Sequence, residues 1–425
     1  MNHLQIYGHG SHFTMDTMLS SKLRDIKPVE KRAILISSGG GWTNKDSTLV
    51  LEHPEVSLTF QNGISFLEHR GRGLKLRKNP LKVVVEMLNR DYIGVGYLGY
   101  EFSQFLEPSF KSVRQKDGAP LPDLSFLFFD RGQLQEMKLE KWEENLRWPE
   151  IQETSNTLQP NMTKAQFCQM VEHARRYIAA GDIYQVNLSQ RFEVPFKVQP
   201  ELFAAKLYRT QPVPFGCYLN FGEFQLISGS MELFLRKNGN RLTTRPIKGT
   251  RRRGCGEEED MKLRQGLSES EKEKAENLMI VDLMRNDLGR ICEFNSVRVD
   301  ELFKVEQYST LFQMVSEVSG KLKEGVTIEH IVSNTFPPGS VTGAPKRRAM
   351  EIIDELEPHL RGPYCGAIGL FMPNGDFTLS VAIRVLAIRD GMGTFWAGGG
   401  IMWDSIPELE YEETLIKAQA MMKAL

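Results

Sequence analysis

A lysine in the middle of the chain lies where a reactive amine would be useful. Residues 241–244 have the pattern of a strand, and Lys248 follows them, beside Gly249 and Thr250. Because alternate residues of a strand share a face, we expect Lys248 and Thr250 to point the same way. Gly249 would let a ligand approach the backbone closely.

The same segment offers two ways to activate the amine. Burial would favour the neutral form of Lys248, and so would the positive charges of the neighbouring Arg251, Arg252 and Arg253. A neutral lysine is a nucleophile that can attack an electrophilic carbon. Taken alone, however, the segment fits better with an ordinary lysine at the end of a strand in a basic turn.

Two groups of charged residues have the spacing of a helix face. Glu273 and Glu276 are three residues apart, and Glu410, Glu413 and Lys417 are spaced by three and four. Such groups usually form solvated surfaces with ion pairs. If the two helices converge, their carboxylates would instead suit Mg²⁺, which prefers hard oxygen ligands and keeps several waters.

An arginine and a run of glycines could bind an anion. Arg384 lies in the apolar run 380–388, predicted as a strand, where a lone guanidinium needs an anion or a structural ion pair. Gly398 and Gly399 belong to the run 397–400, whose amides could approach a carboxylate because no side chain intervenes. A plain turn is the alternative for the glycines.

Composition limits the class of protein. The chain has 425 residues and a formal net charge of -1, which argues against nucleic acid as a partner. Its five cysteines are dispersed without CxxC pairs, which favours a reducing compartment and neither a disulfide framework nor a zinc site. Residues 1–15 lack the apolar segment of a signal peptide, and no stretch approaches the roughly 20 apolar residues of a membrane span. We therefore expect a cytoplasmic protein with no membrane partner.

The elements that must position these residues form two groups. Short β-type runs and turn clusters dominate residues 1–150, which predicts a β-rich N-terminal subdomain. The polar residues 148–160 are the best linker candidate. An amphipathic helix begins after Thr163 and ends at Gly181, and residues 160–425 are expected to form the second domain. Separated strands mixed with long helices indicate an α+β fold rather than a regular βαβ sheet.

Seven sequence blocks follow one another in the C-terminal two-thirds of the chain. They are GDIYQVNLSQRF (181–192), RPIKGT (245–250), KAENLMIVDLMRNDLGR (274–290), SVTGAPKRRAMEIIDELEP (340–358), SVAIRVL (380–386), AGGGI (397–401) and ELEYEETLIKA (408–418). On these blocks the chain resembles the chorismate-utilising enzymes, which include anthranilate, aminodeoxychorismate, isochorismate and salicylate synthases. The resemblance implies two interleaved subdomains of mostly antiparallel β-sheets flanked by helices, with the active site in the central cleft.

The resemblance also implies roles for individual residues. Glu276 and Glu413 would hold Mg²⁺ against the ring carboxylate of chorismate. Glu273 and Glu410 would support the site by contacting the direct ligands or by acting through water. The catalytic residue would be Lys248. The residues implied around the substrate are Arg384, Lys417, Tyr364, Gly398, Gly399 and Thr250.

Two positions separate the reactions within the family. Gln185 lies where isochorismate and salicylate synthases carry a lysine that activates water, and glutamine cannot act as a base at neutral pH. Anthranilate synthases have alanine at the position of Lys248, whereas PIKGT resembles the aminodeoxychorismate synthases. The implied reaction forms a covalent adduct with Lys248 and yields 4-amino-4-deoxychorismate, a precursor of 4-aminobenzoate and folate. Gln313 replaces a histidine common in the family, which leaves the acid for loss of the C4 hydroxyl unassigned. An anthranilate synthase with an unusual lysine is the alternative.

The ammonia for such a reaction must come from another protein. Cys255 lies in a hydrophilic, charged stretch without the strand–turn–helix context of a glutaminase nucleophile. The expected partner is therefore a separate glutamine amidotransferase subunit, and the chain alone should use free ammonium. An alternative of another class is a non-catalytic regulatory subunit that binds chorismate or the amidotransferase. Residues 37–41 loosely match a tryptophan pocket of relatives, although a simple strand turn is the better default.

Overall fold

The computed structural model describes residues 5–8, 11–14, 30–110, 116, 121–144, 146 and 159–422. The linker predicted at residues 148–160 falls outside the described residues except for its last two positions. Within the described part of the chain, no helix is long and apolar enough to cross a membrane.

The described residues form ten α-helices and 24 strands, numbered here in chain order. The helices are α1 (Pro80–Leu88), α2 (Phe102–Leu106), α3 (Leu139–Glu143), α4 (Lys164–Ala179), α5 (Pro200–Thr210), α6 (Glu257–Glu269), α7 (Glu271–Ile291), α8 (Ile328–Thr335), α9 (Lys346–Leu356) and α10 (Pro407–Met422). The strands are β1 (Gln5–Gly8), β2 (Ser11–Thr14), β3 (Arg32–Ser37), β4 (Ser47–Glu52), β5 (Val56–Gln61), β6 (Ile64–His69), β7 (Arg72–Leu76), β8 (Tyr92–Leu98), β9 (Leu124–Asp130), β10 (Gln135–Met137), β11 (Gln159–Pro160), β12 (Gln185–Pro195), β13 (Phe215–Asn220), β14 (Gln225–Ser230), β15 (Leu233–Asn238), β16 (Arg241–Arg245), β17 (Ile247–Arg252), β18 (Arg298–Gln307), β19 (Leu311–Lys321), β20 (Gly343–Ala344), β21 (Ala367–Phe371), β22 (Phe377–Val381), β23 (Val385–Arg389) and β24 (Met392–Ile401).

Two large antiparallel sheets carry almost all of these strands. The ten-stranded sheet has the order β10-β4-β3-β13-β14-β23-β24-β12-β11, with β20 added beside β12. The twelve-stranded sheet has the order β17-β19-β16-β15-β22-β21-β8-β9-β5-β6-β7, with β18 added beside β19. Helix α10 packs on β24 of the first sheet, and α7 packs on β17 and β19 of the second.

Both sheets combine strands from distant parts of the chain. Strand β3 pairs with β13 in the ten-stranded sheet, and β8 pairs with β21 in the twelve-stranded sheet. The predicted α+β fold with interleaved antiparallel sheets flanked by helices is confirmed. The division of the chain near residues 150–160 stays a prediction. Strands from both sides of this division share each of the two large sheets.

The apolar run 380–388 is not the single strand that the sequence predicts. It divides into β22, which belongs to the twelve-stranded sheet, and β23, which belongs to the ten-stranded sheet. Arg384 lies between them with a φ of 50°, in the left-handed region that residues with a side chain rarely adopt. This bend sends the chain from one sheet to the other, so Arg384 lies at the junction of the two sheets.

The helix predicted after Thr163 forms as expected. The Thr163 hydroxyl accepts a hydrogen bond from the amide of Gln166, whose side chain accepts one in return from the Thr163 amide. The helix ends at Ala179, and Gly181 follows with a φ of 81°. The buried face consists of Phe167, Met170, Val171 and Ala174.

A buried ion pair fixes the loop that follows α9. Glu357 and Arg361 are both almost fully buried, and their closest charged atoms are 2.7 Å apart. Burial alone would raise the pKa of the Glu357 carboxyl, but the Arg361 guanidinium lowers it to about 2. Arg361 also donates to the carbonyl oxygens of Val341 and Asn187. The pair thus connects this loop to β12.

Replacing Arg361 with methionine is expected to destabilise the protein by about 3–5 kcal/mol, because Glu357 would be left as a buried charge without its cation. Chemical denaturation followed by circular dichroism measures the change. The matched control is Arg347→Met, since Arg347 is exposed and pairs only across one helical turn with Glu351. That substitution is expected to cost less than about 0.5 kcal/mol. Equal losses in both variants would contradict a structural role for the buried pair.

Candidate active site

Lys248 is a half-buried residue of β17, at the edge of the twelve-stranded sheet. The register between β17 and β19 shifts between Ile247 and Thr250, and Gly249 between them has a φ of 83°. This bulge interrupts the alternation of side chains. The expectation that Lys248 and Thr250 share a face is therefore wrong, since Thr250 is exposed. A role for Thr250 in substrate binding stays a prediction.

The pKa of the Lys248 ammonium is lowered, mainly because burial disfavours its charged form. The Lys417 ammonium lowers this pKa further, whereas the carboxylates of Glu276, Glu232 and Glu273 oppose the shift. The structure therefore brings Lys248 close to members of both charged groups recognised in the sequence. Burial and a neighbouring cation therefore both lower the pKa of Lys248, but the cation is Lys417 of α10.

The three arginines that follow Lys248 are engaged elsewhere. The Arg251 guanidinium donates to Glu273 Oε1 at 3.1 Å. Arg252 and Arg253 pair with acidic residues in the first turn of α6. The charged groups that act most strongly on the pKa of Lys248 are Glu276, Glu232, Lys417 and Glu273, and none of the three arginines is among them. Their positive charges are compensated by neighbouring carboxylates, so the prediction that they activate the lysine is wrong.

Glu232 lies close enough to Lys248 for their charges to interact, although the sequence motifs assigned it no role. It is 5% exposed, and burial raises the pKa of its carboxyl to about 7, although Ser340 and Lys248 act in the opposite direction. The residue directly precedes β15, in the segment SGSMEL. In the sequence, Glu232 stands between Met231 and Leu233, and this apolar context was the available signal of a buried carboxyl. At neutral pH a large fraction of this carboxyl is protonated.

Glu273 and Glu276 lie on one face of α7, as the spacing predicts, and this face is turned toward β17. Both residues are half-buried in the first two turns of α7. A Cβ atom at Gly249 would lie 2.9 Å from Glu273 Oε2, so the glycine makes room for a carboxylate and not for a ligand. Burial raises the pKa of the Glu276 carboxyl, and the Lys248 ammonium partly offsets this.

The second group lies on α10, against the glycine run of β24. A Cβ atom at Gly399 would lie 3.1 Å from Glu410 Oε2 and 3.7 Å from Glu413 Oε1. The Lys417 ammonium lies 2.6 Å from Glu413 Oε1 and donates to the carbonyl oxygen of Gly398 at 2.7 Å. The absence of side chains on these glycines therefore lets the charged groups of α10 reach the backbone of β24.

Gly398 and Gly399 lie in a strand, not in a turn. Gly398 is opposite Ser189 of β12, whose amide donates to Glu357 instead of to β24. Since the Gly398 carbonyl accepts from Lys417, these two residues form a non-hydrogen-bonded pair of the ladder. The Gly398 amide therefore points away from β12. On that side the neighbouring strand is β23, whose pairing with β24 ends at Phe395, so β23 does not cover the amide. An amide in this position can donate to an anion.

The two charged groups face each other across the junction of α7 and α10. Lys272 of α7 pairs with Asp404, just before α10, at 3.2 Å. Burial opposes the charged form of Lys272, but the hydrogen bond to Asp404 and the carboxylates of Glu276 and Glu410 raise its pKa. A glutamate of α7 and a glutamate of α10 therefore both act on the Lys272 ammonium, as expected if the two helices converge.

The carboxylates fit a bound divalent cation. Among the described residues, no group of three or more histidines, cysteines, aspartates or glutamates is close enough to form a metal site alone. Mg²⁺ usually has only one or two protein carboxylates and completes its shell with water and substrate oxygens. Burial raises the pKa of Glu276 and of Glu410, so a nearby positive charge would stabilise both carboxylates.

The guanidinium of Arg384 forms no ion pair with a described residue. Its Nη1 atom is buried and has no hydrogen-bond partner among the described residues, and burial lowers the pKa of the guanidinium to about 10. Tyr364 is also buried, and its ring stacks on Trp396 with centroids 6.2 Å apart. A buried guanidinium nitrogen without an acceptor is costly unless a ligand supplies the acceptor.

The two glutamines that replace a lysine and a histidine of relatives are both buried. Gln185 and Gln313 are 1% exposed, and the Oε1 atom of each accepts no hydrogen bond from any described residue. A Cβ atom at Gly400 would lie 2.2 Å from Gln185 Nε2, which places Gln185 directly against the glycine run. Gln313 Nε2 contacts the sulfur of Met231.

The segment that loosely matches a tryptophan pocket holds a tryptophan of the chain itself. Trp42 is buried, packs edge-on against Phe215 and donates to the carbonyl oxygen of Gly216. The adjoining cavity, beside Gly39 and Gly40, has a volume of about 30 Å³, which is roughly the space that one water occupies in the liquid. A pocket for free tryptophan stays a prediction.

Comparison with known proteins shows similarity along nearly the whole chain. The family described as chorismate binding enzyme matches residues 31–423. Aminodeoxychorismate synthase component 1 of Bacillus subtilis (strain 168) is 35% identical over 454 residues, covering 97% of this chain and 95% of that protein. Anthranilate synthase component 1 of Aquifex aeolicus (strain VF5) is 46% identical over 265 residues, covering 62% of this chain. That match spans about half of the relative, 54% of its length.

Solved structures share the architecture. Anthranilate synthase component I from Streptococcus pneumoniae TIGR4 superposes with a TM-score of 0.77 at 29% identity, covering 98% of this chain and 95% of that chain. MenF, the menaquinone-specific isochorismate synthase from Escherichia coli, has a TM-score of 0.71 at 17% identity. The second likeness concerns the fold alone.

Proposed function

This chain belongs to the chorismate binding enzyme family, and from that premise we propose that it is component I of an aminodeoxychorismate synthase. The observation that carries the proposal is a half-buried Lys248 with a lowered pKa, close to the buried carboxyl of Glu232. Burial favours the neutral form of both groups, a free amine and a carboxylic acid. The two groups together supply a nucleophile and a proton.

The proposed reaction consists of two displacements at the ring. The Lys248 amine attacks C2 of chorismate, both ring double bonds shift by one position (C1=C2 to C6=C1 and C5=C6 to C4=C5), and the C4 hydroxyl leaves as water with the proton of Glu232. Ammonia then attacks C4, both double bonds return to their original positions, and the lysine is expelled from C2 with its electron pair. The Glu232 carboxylate takes up the proton that the new C4 ammonium releases. The product is 4-amino-4-deoxychorismate, in which the enolpyruvyl group is retained.

Two carboxylates of the substrate require positive partners. The guanidinium of Arg384 and the amide of Gly398 are suited to the enolpyruvyl carboxylate, and Tyr364, Lys417 and Gly399 complete the proposed pocket. Glu276 and Glu413 would hold Mg²⁺, supported by Glu273 and Glu410. The bound ion would neutralise the ring carboxylate and assist departure of the hydroxyl group.

The proposed ammonia source is a separate glutamine amidotransferase subunit. Cys255 is exposed, and it lies between β17 and α6 in a loop that contacts Glu259 through its backbone amide. It has none of the surroundings of a glutaminase nucleophile. We place the complete enzyme in the cytoplasm, on the route to 4-aminobenzoate and folate.

Product analysis by mass spectrometry tests the assignment. The purified chain is incubated with chorismate, Mg²⁺ and ammonium, and an added aminodeoxychorismate lyase converts any product to 4-aminobenzoate. The proposal expects aminodeoxychorismate before the lyase is added. Anthranilate and pyruvate without the lyase would instead identify an anthranilate synthase, the alternative supported by the higher identity to the Aquifex relative over part of the chain.

Removal of Mg²⁺ by a chelator is expected to stop the reaction, and Glu276→Gln should raise the Mg²⁺ concentration for half-maximal activity by at least about tenfold. The glutamine keeps the size of the side chain and removes the charge that would hold the cation. Titration of activity with Mg²⁺ measures the effect. The control is Glu271→Gln, an exposed residue of the same helix that pairs with Lys274 one turn away. Unchanged Mg²⁺ dependence in Glu276→Gln would contradict its assignment as a ligand.

The pH profile of the rate should change slope near pH 7, because Glu232 must be protonated to donate and Lys248 must be neutral to attack. The pKa of Glu232 is raised from the ordinary value of 4.5 to about 7, so its acid form persists to neutral pH and is lost above it, while a rising pH favours the free amine of Lys248. In Glu232→Gln we expect a rate about 100-fold lower and no such change of slope near pH 7. Single-turnover rates between pH 5.5 and 9 give the profile; an unchanged profile in the variant would exclude Glu232 as the donor.

A further inference from the structure

A cavity of about 620 Å³ lies away from Lys248, between the end of β5, helix α2 and the strands β12 and β24. Its volume is within the usual range for a small-molecule site. The apolar part of its wall includes Phe60, Phe105, Leu360 and Trp396. Phe105 is 37% exposed although its ring packs 4.7 Å from that of Phe60. An aromatic wall of this kind suits a flat apolar group.

The charges that line the cavity favour a cationic ligand. Its two arginines each pair with a neighbouring carboxylate at the rim, Arg191 with Glu193 and Arg389 with Asp390. Apart from these two pairs, the charged groups of the wall are the carboxyls of Asp123 and Glu101.

Among the described residues, neither of these two carboxyls forms an ion pair; the Lys116 ammonium pairs with Asp354 and only partly opposes the effect of burial on Glu101. Burial raises the pKa of Asp123 to about 6, and an amide hydrogen bond from Asn62 only partly opposes this. The Glu101 carboxylate accepts the amides of Arg361 and Gly362, each at 2.8 Å, yet burial still raises its pKa to about 7. An ammonium group in the cavity would stabilise both carboxylates.

The wall of the cavity is also the support of the proposed substrate site. One side of Trp396 borders the cavity, and its ring stacks on Tyr364 with an interplanar angle of 6°. The indole nitrogen of Trp396 donates to the carbonyl oxygen of Leu360 at 3.0 Å. Glu101 holds Gly362, in the segment that leads directly to Tyr364. A ligand in the cavity would therefore contact the residues that orient Tyr364.

We propose that this cavity is an effector site for a small aromatic amine, and that its occupation changes the affinity for the substrate through Trp396 and Tyr364. The link to the substrate rests on the proposed function; the binding site itself does not. The ligand class is set by the aromatic wall and by the carboxyls of Asp123 and Glu101, which form no ion pair with a described residue.

Calorimetry with 2-phenylethylamine tests the site, with 3-phenylpropionate as a probe that has the same ring and the opposite charge. We expect the amine to bind the intact chain and the acid not to bind. Asp123→Asn should weaken binding of the amine by at least about tenfold. The matched control is Asp390→Asn, an exposed rim carboxylate paired with Arg389, for which a change below about twofold is expected. Equal binding of amine and acid, or no loss in Asp123→Asn, would overturn the site.

Steady-state kinetics tests the link to the substrate. Saturating 2-phenylethylamine should change KM for chorismate by at least about threefold in the wild-type chain, and this effect should be lost in Asp123→Asn. Binding of the amine without any change in KM would overturn the regulatory part and leave the site. If the chain forms no aminodeoxychorismate at all, the proposed function fails, while the calorimetric result still decides whether the cavity binds amines.

Discussion

Replacing Lys248 with alanine is expected to reduce formation of aminodeoxychorismate by more than about 10⁴-fold, because the step that breaks the C4–O bond would lose its nucleophile. The wild-type chain, given chorismate and Mg²⁺ without ammonium, should accumulate a covalent adduct with the mass of chorismate less one water. Intact-protein mass spectrometry after an acid quench detects this adduct, and peptide mapping should locate it at Lys248.

The matched control is Lys262→Ala, which removes an exposed lysine paired with Glu258 on α6. This variant should retain full activity and form the adduct as the wild type does. A Lys248→Ala chain that still makes aminodeoxychorismate at the wild-type rate would remove the lysine from the mechanism. Anthranilate formation by the wild type would leave the family assignment intact and replace the proposed reaction.

Replacing Arg384 with methionine is expected to raise KM for chorismate by about 100-fold, equivalent to roughly 3 kcal/mol for the loss of a buried charge partner of a carboxylate. The same substitution should leave the free energy of unfolding unchanged or increase it, because the buried Nη1 atom has no partner in the part of the chain that the structure describes. The pair of results distinguishes a binding residue from a structural one. Steady-state kinetics and chemical denaturation of the same preparation measure them.

Arg285→Met serves as the control, since Arg285 is exposed and pairs only with Asp282 one turn away. Both KM and stability should stay close to the wild-type values in that variant. If Arg384→Met lost several kcal/mol of stability and bound chorismate normally, the guanidinium would be a structural group, and another cation would have to anchor the enolpyruvyl carboxylate.

The arrangement of charges within single elements was predictable from the sequence. Helical spacing places Glu273 and Glu276 on one face of α7, and it places Glu413 and Lys417 on one face of α10. The cap at Thr163 and the stop near Gly181 were also predictable. These features depend on neighbours three or four residues away, whose geometry the backbone imposes.

The strand segments were predicted less well, because their conformation depends on partners distant in the chain. Gly249 breaks the alternation that would have aligned Lys248 with Thr250, and only the pairing of β17 with β19 reveals the shift. Arg384 lies in a bend between two sheets, although its surroundings in the sequence are uniformly apolar. A pattern of alternate residues cannot show where the chain leaves one sheet for another.

The sequence by itself determined the residue types of the site, the order of the motifs and, through them, the family. Only the tertiary structure decided that burial, and not the three adjacent arginines, lowers the pKa of Lys248, and that Glu232 lies beside it. The cavity bordered by Trp396 and Asp123 likewise exists only in the folded chain. Desolvation and the encounter of distant charges depend on packing between elements, and packing is a property of three-dimensional distances that spacing along the chain does not encode.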